Sequence, residues 1–260
     1  MKKFILIFVC AIGLLSACKK TLELVDPVSK TDGLAYLKII DASPNFRQTY
    51  KGSDSFNVYV NGVKINGPQL SYNSMFPVST SLYSAVPAGP QSIRLTVNGK
   101  LTPDSITLVS LNKTLEAGSY YSFIVTDEAL TANESRQMFI KDNFALTDTN
   151  NFTLRFVHAA LNDPGAVDIY SFRRAANIFT NISPASATPF VTLPFTVPSS
   201  ILSDTFYVRR TGTLIDIAKV AVNVTNSIFL NRGRAYTILY KGQFGVTGTK
   251  ARSLILYTNN

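Results

Sequence analysis

The chain has no tryptophan, one histidine and two cysteines among 260 residues. A single histidine, with no His, Cys or carboxylate at ligand spacing near it, leaves neither a metal centre nor a His-based catalytic group to build. The lack of Trp also weakens an expectation of sugar stacking, although aromatic residues still make up 11% of the chain. Charged residues amount to 16%, and carboxylates are so sparse that a glycosidase pair would have to come from unrelated loops. No Gly-x-Ser-x-Gly, His-Glu-x-x-His, phosphate-binding loop or dinucleotide fingerprint occurs. No apolar run reaches the ~20 residues of a membrane-crossing helix. No catalytic residue, metal ligand or cofactor is therefore assigned.

What is present begins with a cationic start, Met1-Lys2-Lys3, an apolar run from Phe4 to Leu15, and small residues ahead of a cysteine. That order is a secretory signal. Leu15-Ser16-Ala17-Cys18 resembles the lipobox of bacterial lipoproteins, in which the Cys thiol receives diacylglycerol and becomes the mature N-terminus. Residues 1–17 are thus expected to be a lipoprotein signal peptide, Cys18 the lipidated residue, and 18–33 a polar linker containing Pro27. More than one acyl chain, at ~0.8 kcal/mol per buried CH₂, makes such a membrane anchor stable. Cys10 would leave with the signal and Cys18 would be consumed as a thioether, so no disulfide or thiol-bound metal is expected. Lys19 stands where lipoproteins retained at the inner membrane carry Asp, which favours the outer membrane.

Beyond residue 33 the pattern is β. Short apolar-alternating runs recur at Ala35–Asp41, Phe56–Asn61, Ser92–Val97, Ser105–Val109, Tyr120–Thr126 and Gln137–Lys141, split by Gly, Pro, Asn and Asp. Strands at this spacing predict an all-β sandwich or barrel, and Asn61-Gly62 and Asn98-Gly99 are hairpin turn dipeptides. The second half repeats the first. Leu37 to Asn45 matches Leu154 to Asn162, Phe56-Asn57-Val58-Tyr59 matches Val167-Asp168-Ile169-Tyr170, and Leu115 to Tyr121 matches Leu230 to Tyr236. Blocks in one order at a near-constant offset imply duplication of a whole domain, too long a unit for a solenoid of ~20–50 residues. The boundary falls at the polar cluster Thr147–Asn151. The expectation is two tandem immunoglobulin-like β-sandwich domains behind a lipoprotein signal peptide, over residues 34–147 and 148–260, folding separately if cut there. In the third block, Leu-x-x-Gly-x-x-Tyr resembles the tyrosine corner of such sandwiches, with Tyr121 and Tyr236 bonding backbone a few residues upstream.

Both copies resemble the domain of unknown function 4397 family, found in tandem on lipoproteins of Bacteroidota and other bacteria. The family opens with an apolar strand, His-Ala-Ser-Pro-Asp and then Val-Asp-Val-Tyr. Asp41-Ala42-Ser43-Pro44-Asn45 with Asn57-Val58-Tyr59 answers it in the first copy, and His158-Ala159-Ala160-Leu161-Asn162 with Asp168-Ile169-Tyr170 in the second. Val86-Pro87-Ala88-Gly89 resembles a later family turn, of which Leu193-Pro194-Phe195-Thr196 keeps part. The resemblance implies a fold and no chemistry.

The remaining candidates have modest readings. His158 has Asp41 as its counterpart, which cannot do imidazole chemistry, so a polar residue fixing the following loop is expected. Asn162, Asp163 and Asp168 read as turn-forming side chains, because the Asp-x-Asp-x-Asp-Gly calcium loop is absent. Asp104-Ser105-Ile106 resembles a short bacterial O-glycosylation motif, but a strand start accounts for it. Charge is the asymmetric feature. Residues 34–147 hold nine Lys/Arg against eight Asp/Glu, a net of +1, and residues 148–260 hold eleven against five, a net of +6. The excess includes Arg173-Arg174, Arg209-Arg210, and Arg232 with Arg234, candidate anion-binding residues for an anionic glycan or lipopolysaccharide phosphate. Nucleic acid is not expected in an envelope compartment. Three functions follow: a non-enzymatic envelope lipoprotein with a structural, adhesive or ligand-binding role, a glycan-binding accessory of a polysaccharide-uptake system, or a hydrolase with an unrecognised site. Exposed aromatic rows on one sandwich face would favour glycan binding, and a cleft with converging carboxylates would favour a hydrolase.

Overall fold

Alternating apolar residues between turns fold here almost entirely into strands. The computed structural model describes residues 33–46, 55–79, 82–97, 107–126, 136–144, 150–160, 162–195, 201–223 and 229–259. Cys18 with its signal and linker, Asn98-Gly99, Asp104-Ser105-Ile106 and residues 147–149 of the repeat boundary lie outside the described residues. In the first half the strands are β1 (Leu34–Asp41), β2 (Ser55–Val60), β3 (Val63–Lys64), β4 (Leu70–Ser71), β5 (Met75–Phe76), β6 (Ser84–Pro87), β7 (Gly89–Thr96), β8 (Thr107–Leu115), β9 (Tyr120–Val125) and β10 (Met138–Lys141). In the second they are β11 (Asn151–His158), β12 (Val167–Ser171), β13 (Ala176–Ile182), β14 (Ser186–Ala187), β15 (Val191–Pro194), β16 (Ile201–Leu202), β17 (Asp204–Arg210), β18 (Asp216–Val222), β19 (Leu230–Asn231), β20 (Ala235–Lys241) and β21 (Ser253–Thr258).

Each half is a two-sheet sandwich with the same strand order. One sheet runs β10-β9-β1 with β5 and β6 on the far edge of β1, and its counterpart runs β21-β20-β11 with β14 and β15 on β11. In both, the first strand pairs in parallel with the strand that carries the repeated tyrosine, Leu37 opposite Tyr121 and Leu154 opposite Tyr236. The other sheet is β3/β4-β2-β7-β8 in the first half and β13-β12-β17-β18 in the second. Asn61 and Gly62 both take positive φ, 49° and 81°, the pairing a two-residue hairpin turn requires. The two tyrosines make matching bonds: the hydroxyl of Tyr121 accepts the backbone N–H of Glu116 at 3.0 Å, and that of Tyr236 accepts the N–H of Asn231 at 2.8 Å. Strand β8 continues to Leu115, past the Val109 expected from its sequence, because Leu111 and Leu115 keep the inward alternation.

Burial shows how the halves meet. A strand with one wet face alternates, yet β20 is buried at all seven positions and β11 at seven of eight. Strands buried on both faces read as near-continuous apolar runs. Leu37 and Ile39 face the first sandwich core, and Leu154 and Phe156 the second. The opposite parity, Ile40, Ile124 and Met138 from one half with Val157, Leu239 and Tyr257 from the other, forms a third apolar cluster between them. Residues 33–260 accordingly make one compact unit in which the four larger sheets stack, with β16 and β19 forming a separate two-stranded sheet. The expectation of halves that fold separately is revised on this point, since separation would strip the cover from that cluster.

The same parity buries charge between the halves. Lys38 and Arg155, at equivalent repeat positions, are 0% and 1% exposed. Arg155 forms a 2.5 Å ion pair with Asp142 of the first half, and its Nε donates to Thr237 at 2.9 Å. Tyr83 and Ser122 each donate a 2.7 Å hydrogen bond to Asp142, and the Lys38 ammonium donates to the Thr258 carbonyl across the interface at 2.9 Å. Thr237 donates to Asn259 at 2.7 Å, and Asn259 donates to Tyr83 at 2.8 Å. Each cation also lies over an aromatic ring of its own half, Lys38 at 4.4 Å from the Tyr83 centroid and Arg155 at 4.8 Å from that of Phe190. Burial lowers the Lys38 pKa to about 7 against the pull of Asp142.

Candidate functional site

Side-chain parity on β12 and β17 decides what the second half shows outward. Val167, Ile169, Phe206 and Val208 turn inward and are fully buried. Tyr170 and Tyr207, opposite each other in register, therefore turn outward and are half-buried. Register extends them into a row across all four strands, with Asn177 opposite Tyr170 on β13 and Lys219 opposite Tyr207 on β18. Strands ~4.8 Å apart make this row about 14 Å long. One step along lies a second row, Asp168, Arg209 and Asp216.

Cations sit on these rings. The Arg209 guanidinium carbon lies 3.7 Å from the Tyr170 centroid and 5.6 Å from that of Tyr207, and the Lys219 ammonium is 5.9 Å from Tyr207. Arg209 Nε donates to Asp216 at 2.7 Å, a half-open ion pair that orients the guanidinium more than it stabilises the fold. Asp168 is held by the Asn181 N–H at 2.8 Å and the Thr211 hydroxyl at 2.9 Å. A planar guanidinium resting on a ring offers its outer N–H fork to a carboxylate or phosphate, while the exposed ring edges offer apolar contact to a sugar. The first half repeats the motif on its own outer sheet, with Tyr59 in register with Arg94 and the guanidinium carbon 5.9 Å from the ring.

The six candidate arginines do not form one patch. Arg173 Nε donates to the Ser203 carbonyl at 2.6 Å, and its backbone N–H to Asp204 at 2.9 Å. Arg174 donates to the Pro194 carbonyl at 2.6 Å, with its pKa lowered by burial. Arg232 covers the Phe195 ring at 4.8 Å, and Arg234 lies exposed beside it in sequence at the start of β20. Arg173, Arg174 and Arg232 thus sit about Ser203, Pro194 and Phe195, near the start of β17, whereas Arg209 and Arg210 sit at its other end, about 20 Å away for a seven-residue strand. Arg209 and Arg210 are also not an exposed pair. Successive strand residues point to opposite faces, so Arg209 stacks outward and Arg210 closes a 2.5 Å ion pair with buried Asp163.

Asp163 does more than shape a turn. It also pairs with Arg252 at 3.0 Å and accepts the Tyr240 hydroxyl. Burial works to raise its pKa, but the bonds from Tyr240, Arg210 and Arg252 hold it below the usual carboxylate range. His158 shares the inward parity of Leu154 and Phe156, so its ring packs edge-on to Tyr240 at 4.9 Å in the sandwich core, where Asp163 and the Gly165 backbone of the following loop also act on it. Burial pushes its pKa down to about 4. Asn162 is exposed. Among the described residues, no three His, Cys, Asp or Glu side chains gather as a metal site would need.

No functionally curated protein matches the chain. Among solved structures, the TIE protein of Bacillus anthracis aligns with 80% of this chain at 11% identity and a TM-score of 0.22, and this chain spans about a third of its length, 34%. A candidate polysaccharide-binding protein of Bacteroides thetaiotaomicron aligns with 86% of this chain and 96% of its own at 9% identity and a TM-score of 0.24. A candidate adhesin of Bacteroides ovatus aligns with 85% and 95% at 10% identity and 0.21. Likenesses at that level carry no weight for fold or function. The family comparison does carry weight: the domain of unknown function DUF4397 matches residues 35–170, all of the first sandwich and the second as far as Tyr170 on β12, so the chain belongs to the DUF4397 family.

Proposed function

We propose that this protein is a non-enzymatic lipoprotein of the bacterial outer membrane, anchored through Cys18, that binds an anionic glycan on the outer sheet of its second half. The observation that carries the binding role is the row of Tyr170 and Tyr207 with Arg209 and Lys219 stacked against them. The ring edges that the cations leave uncovered supply apolar contact for a sugar, and the cations supply the attraction for carboxylate, sulfate or phosphate groups. A net of +6 over residues 148–260 raises the local concentration of such a polymer. An accessory role in polysaccharide uptake is the second reading, favoured by the same aromatic row. The carboxylates Asp142, Asp163, Asp168 and Asp204 are each committed to internal partners, which gives a hydrolase no supporting observation.

Binding to polygalacturonate, alginate and purified lipopolysaccharide across a salt series tests this reading. Affinity should fall steeply with salt, because exposed charges are screened beyond ~8–10 Å at ordinary ionic strength. Tyr207→Ala and Arg209→Glu should each weaken it, whereas Arg173→Glu at the far end should not. Equal affinity in all three variants would reject the outer face as the site. Acyl labelling of Cys18→Ser tests the anchor, and continued labelling would reject it.

A further inference from the structure

The outer sheet of the first half carries a groove of about 430 Å³ along the β7–β8 hairpin, lined by Asn61, Pro90, Ser92, Asn112, Lys113 and Thr114. That volume lies within the ~300–1,000 Å³ of small-molecule sites. Its lining differs from the Tyr–Arg face of the second half, being mostly amides and hydroxyls. Ser92 stands opposite Asn112 and Pro90 opposite Thr114, so these side chains share one face. Asn61 is clamped in place: its carbonyl oxygen accepts the Ser92 N–H at 2.9 Å, and its amide donates to Gln91 at 2.6 Å. Two residues from Asn61 and Ser92, on the same outward parity, are Tyr59 and Arg94. Amides and hydroxyls both donate and accept, which matches the hydroxyl groups of a sugar. A fixed amide beside an aromatic ring loses little side-chain freedom on binding.

The layer order sets the direction of this groove. The sheet that bears it and the sheet that bears Tyr170 and Tyr207 are the two outermost of four, because the β9-β1 and β20-β11 sheets pack on each other between them. Sheets pack ~10 Å apart, which puts the two faces about 30 Å apart and directed away from each other. One straight glycan chain cannot lie on both. We propose that the first-half groove is a second saccharide site, whose amides and hydroxyls take neutral hydroxyl-rich chains, and that the protein bridges two glycan chains, one held on each outer face. The bridging, though not the groove itself, rests on the glycan-binding reading of the second half.

A sandwich capture separates the possibilities. The full chain is loaded on immobilised polygalacturonate or alginate and then offered soluble fluorescent dextran or mannan, with direct binding to each neutral polymer measured in parallel. The wild type should capture a soluble neutral polymer. Asn112→Ala with Thr114→Ala removes two exposed contacts and should cut capture about 10–30-fold while leaving the loading step unchanged. Asn112→Trp, which fills the groove, should do the same. Tyr207→Ala with Lys219→Ala should abolish loading and spare direct binding of the neutral polymer. Sedimentation of each variant as the wild-type species excludes self-association as the source of bridging. Wild type that loads but neither captures nor binds a neutral polymer directly would overturn the groove and leave the second-half reading standing. Direct neutral binding lost in the Asn112 variants, without any loading on acidic polymer, would keep the groove and overturn the other face together with the bridge. No binding in either arm would overturn both.

Discussion

Replacing Asp142 by Asn removes a carboxylate from a layer that buries two cations, and the geometry sets the cost. Asp142 lies 2.5 Å from the Arg155 guanidinium and accepts 2.7 Å hydrogen bonds from Tyr83 and Ser122. Asn is nearly isosteric, so packing survives, but it brings donor hydrogens towards a site already faced by donors. Breaking a buried ion pair from one side costs ~3–5 kcal/mol, chiefly because the other charge is left stranded. Against a typical total of ~5–15 kcal/mol that is a large share. Asn259→Ala, at the equivalent place in the second half, removes two neutral hydrogen bonds and no charge. It should cost only ~1–3 kcal/mol. Adding Lys38→Met to Asp142→Asn should recover part of the loss by removing the second stranded cation. The chain has no tryptophan, so equilibrium urea unfolding should be followed by far-ultraviolet circular dichroism, comparing midpoints and slopes. An Asp142→Asn loss no larger than that of Asn259→Ala would refute the claim that charge pairing, and not hydrogen bonding alone, holds this interface.

Tyr121→Phe and Tyr236→Phe should each cost ~1 kcal/mol in urea unfolding, since each hydroxyl satisfies one backbone N–H; no change in either would remove its structural role. Asp163→Ala should cost roughly 1–3 kcal/mol, discounted from the fully buried case because Arg210 and Arg252 can reach water; a thermal melt identical to wild type would contradict it. Stability should rise with pH from about 7 to about 9.5. Lys38 is pushed from 10.5 down to about 7 and Lys241 to about 8, both mainly by burial, so the folded state binds fewer protons than the unfolded chain there. Lys38→Met should flatten that slope in urea midpoints measured across the window, and an unchanged slope would clear Lys38 as its source.

Much of the architecture was legible because local signals agreed. Alternation, Asn-Gly turns and three repeated blocks each pointed to strands in a duplicated sandwich, and Gly118 with Tyr121 and Gly233 with Tyr236 marked the same corner twice. What alternation could not convey was the contact between halves. The signal was present in Lys38 and Arg155, each a cation inside an otherwise apolar strand at the same repeat position. A charge there is unexpected on a buried face unless a partner lies opposite, and the partner of Arg155, Asp142, stands close by in sequence but in the other half, where only the packing of the two sheets brings it opposite. The outer face was hidden for a related reason. Arg209-Arg210 reads as a pair in one dimension, but pleating sends the two side chains to opposite faces, and only strand register brings Arg209 to Tyr170 and Tyr207 to Lys219.

Duplication alone would have produced a symmetric interface, and the departures from symmetry specify which surfaces pair. Lys38 answers Arg155, Ser122 answers Thr237, Tyr83 answers Phe190, and Asp142 answers Asn259. A pairing of two second halves would bury two Arg155 side chains with Asn259 in both carboxylate positions, leaving the guanidinium groups without Asp142. Stranded buried charge costs several kcal/mol per ion even after relaxation. A pairing of two first halves would supply two carboxylates but would place Lys38 where Arg155 now forks between Thr237 and Asp142, and an ammonium cannot reproduce that planar geometry. Only the mixed pairing combines the carboxylate of one half with the guanidinium of the other, so the buried charges act as a register for intramolecular association. That register also keeps the two outer sheets facing away from each other, with Tyr59 and Arg94 on one side and Tyr170, Tyr207 and Arg209 on the other.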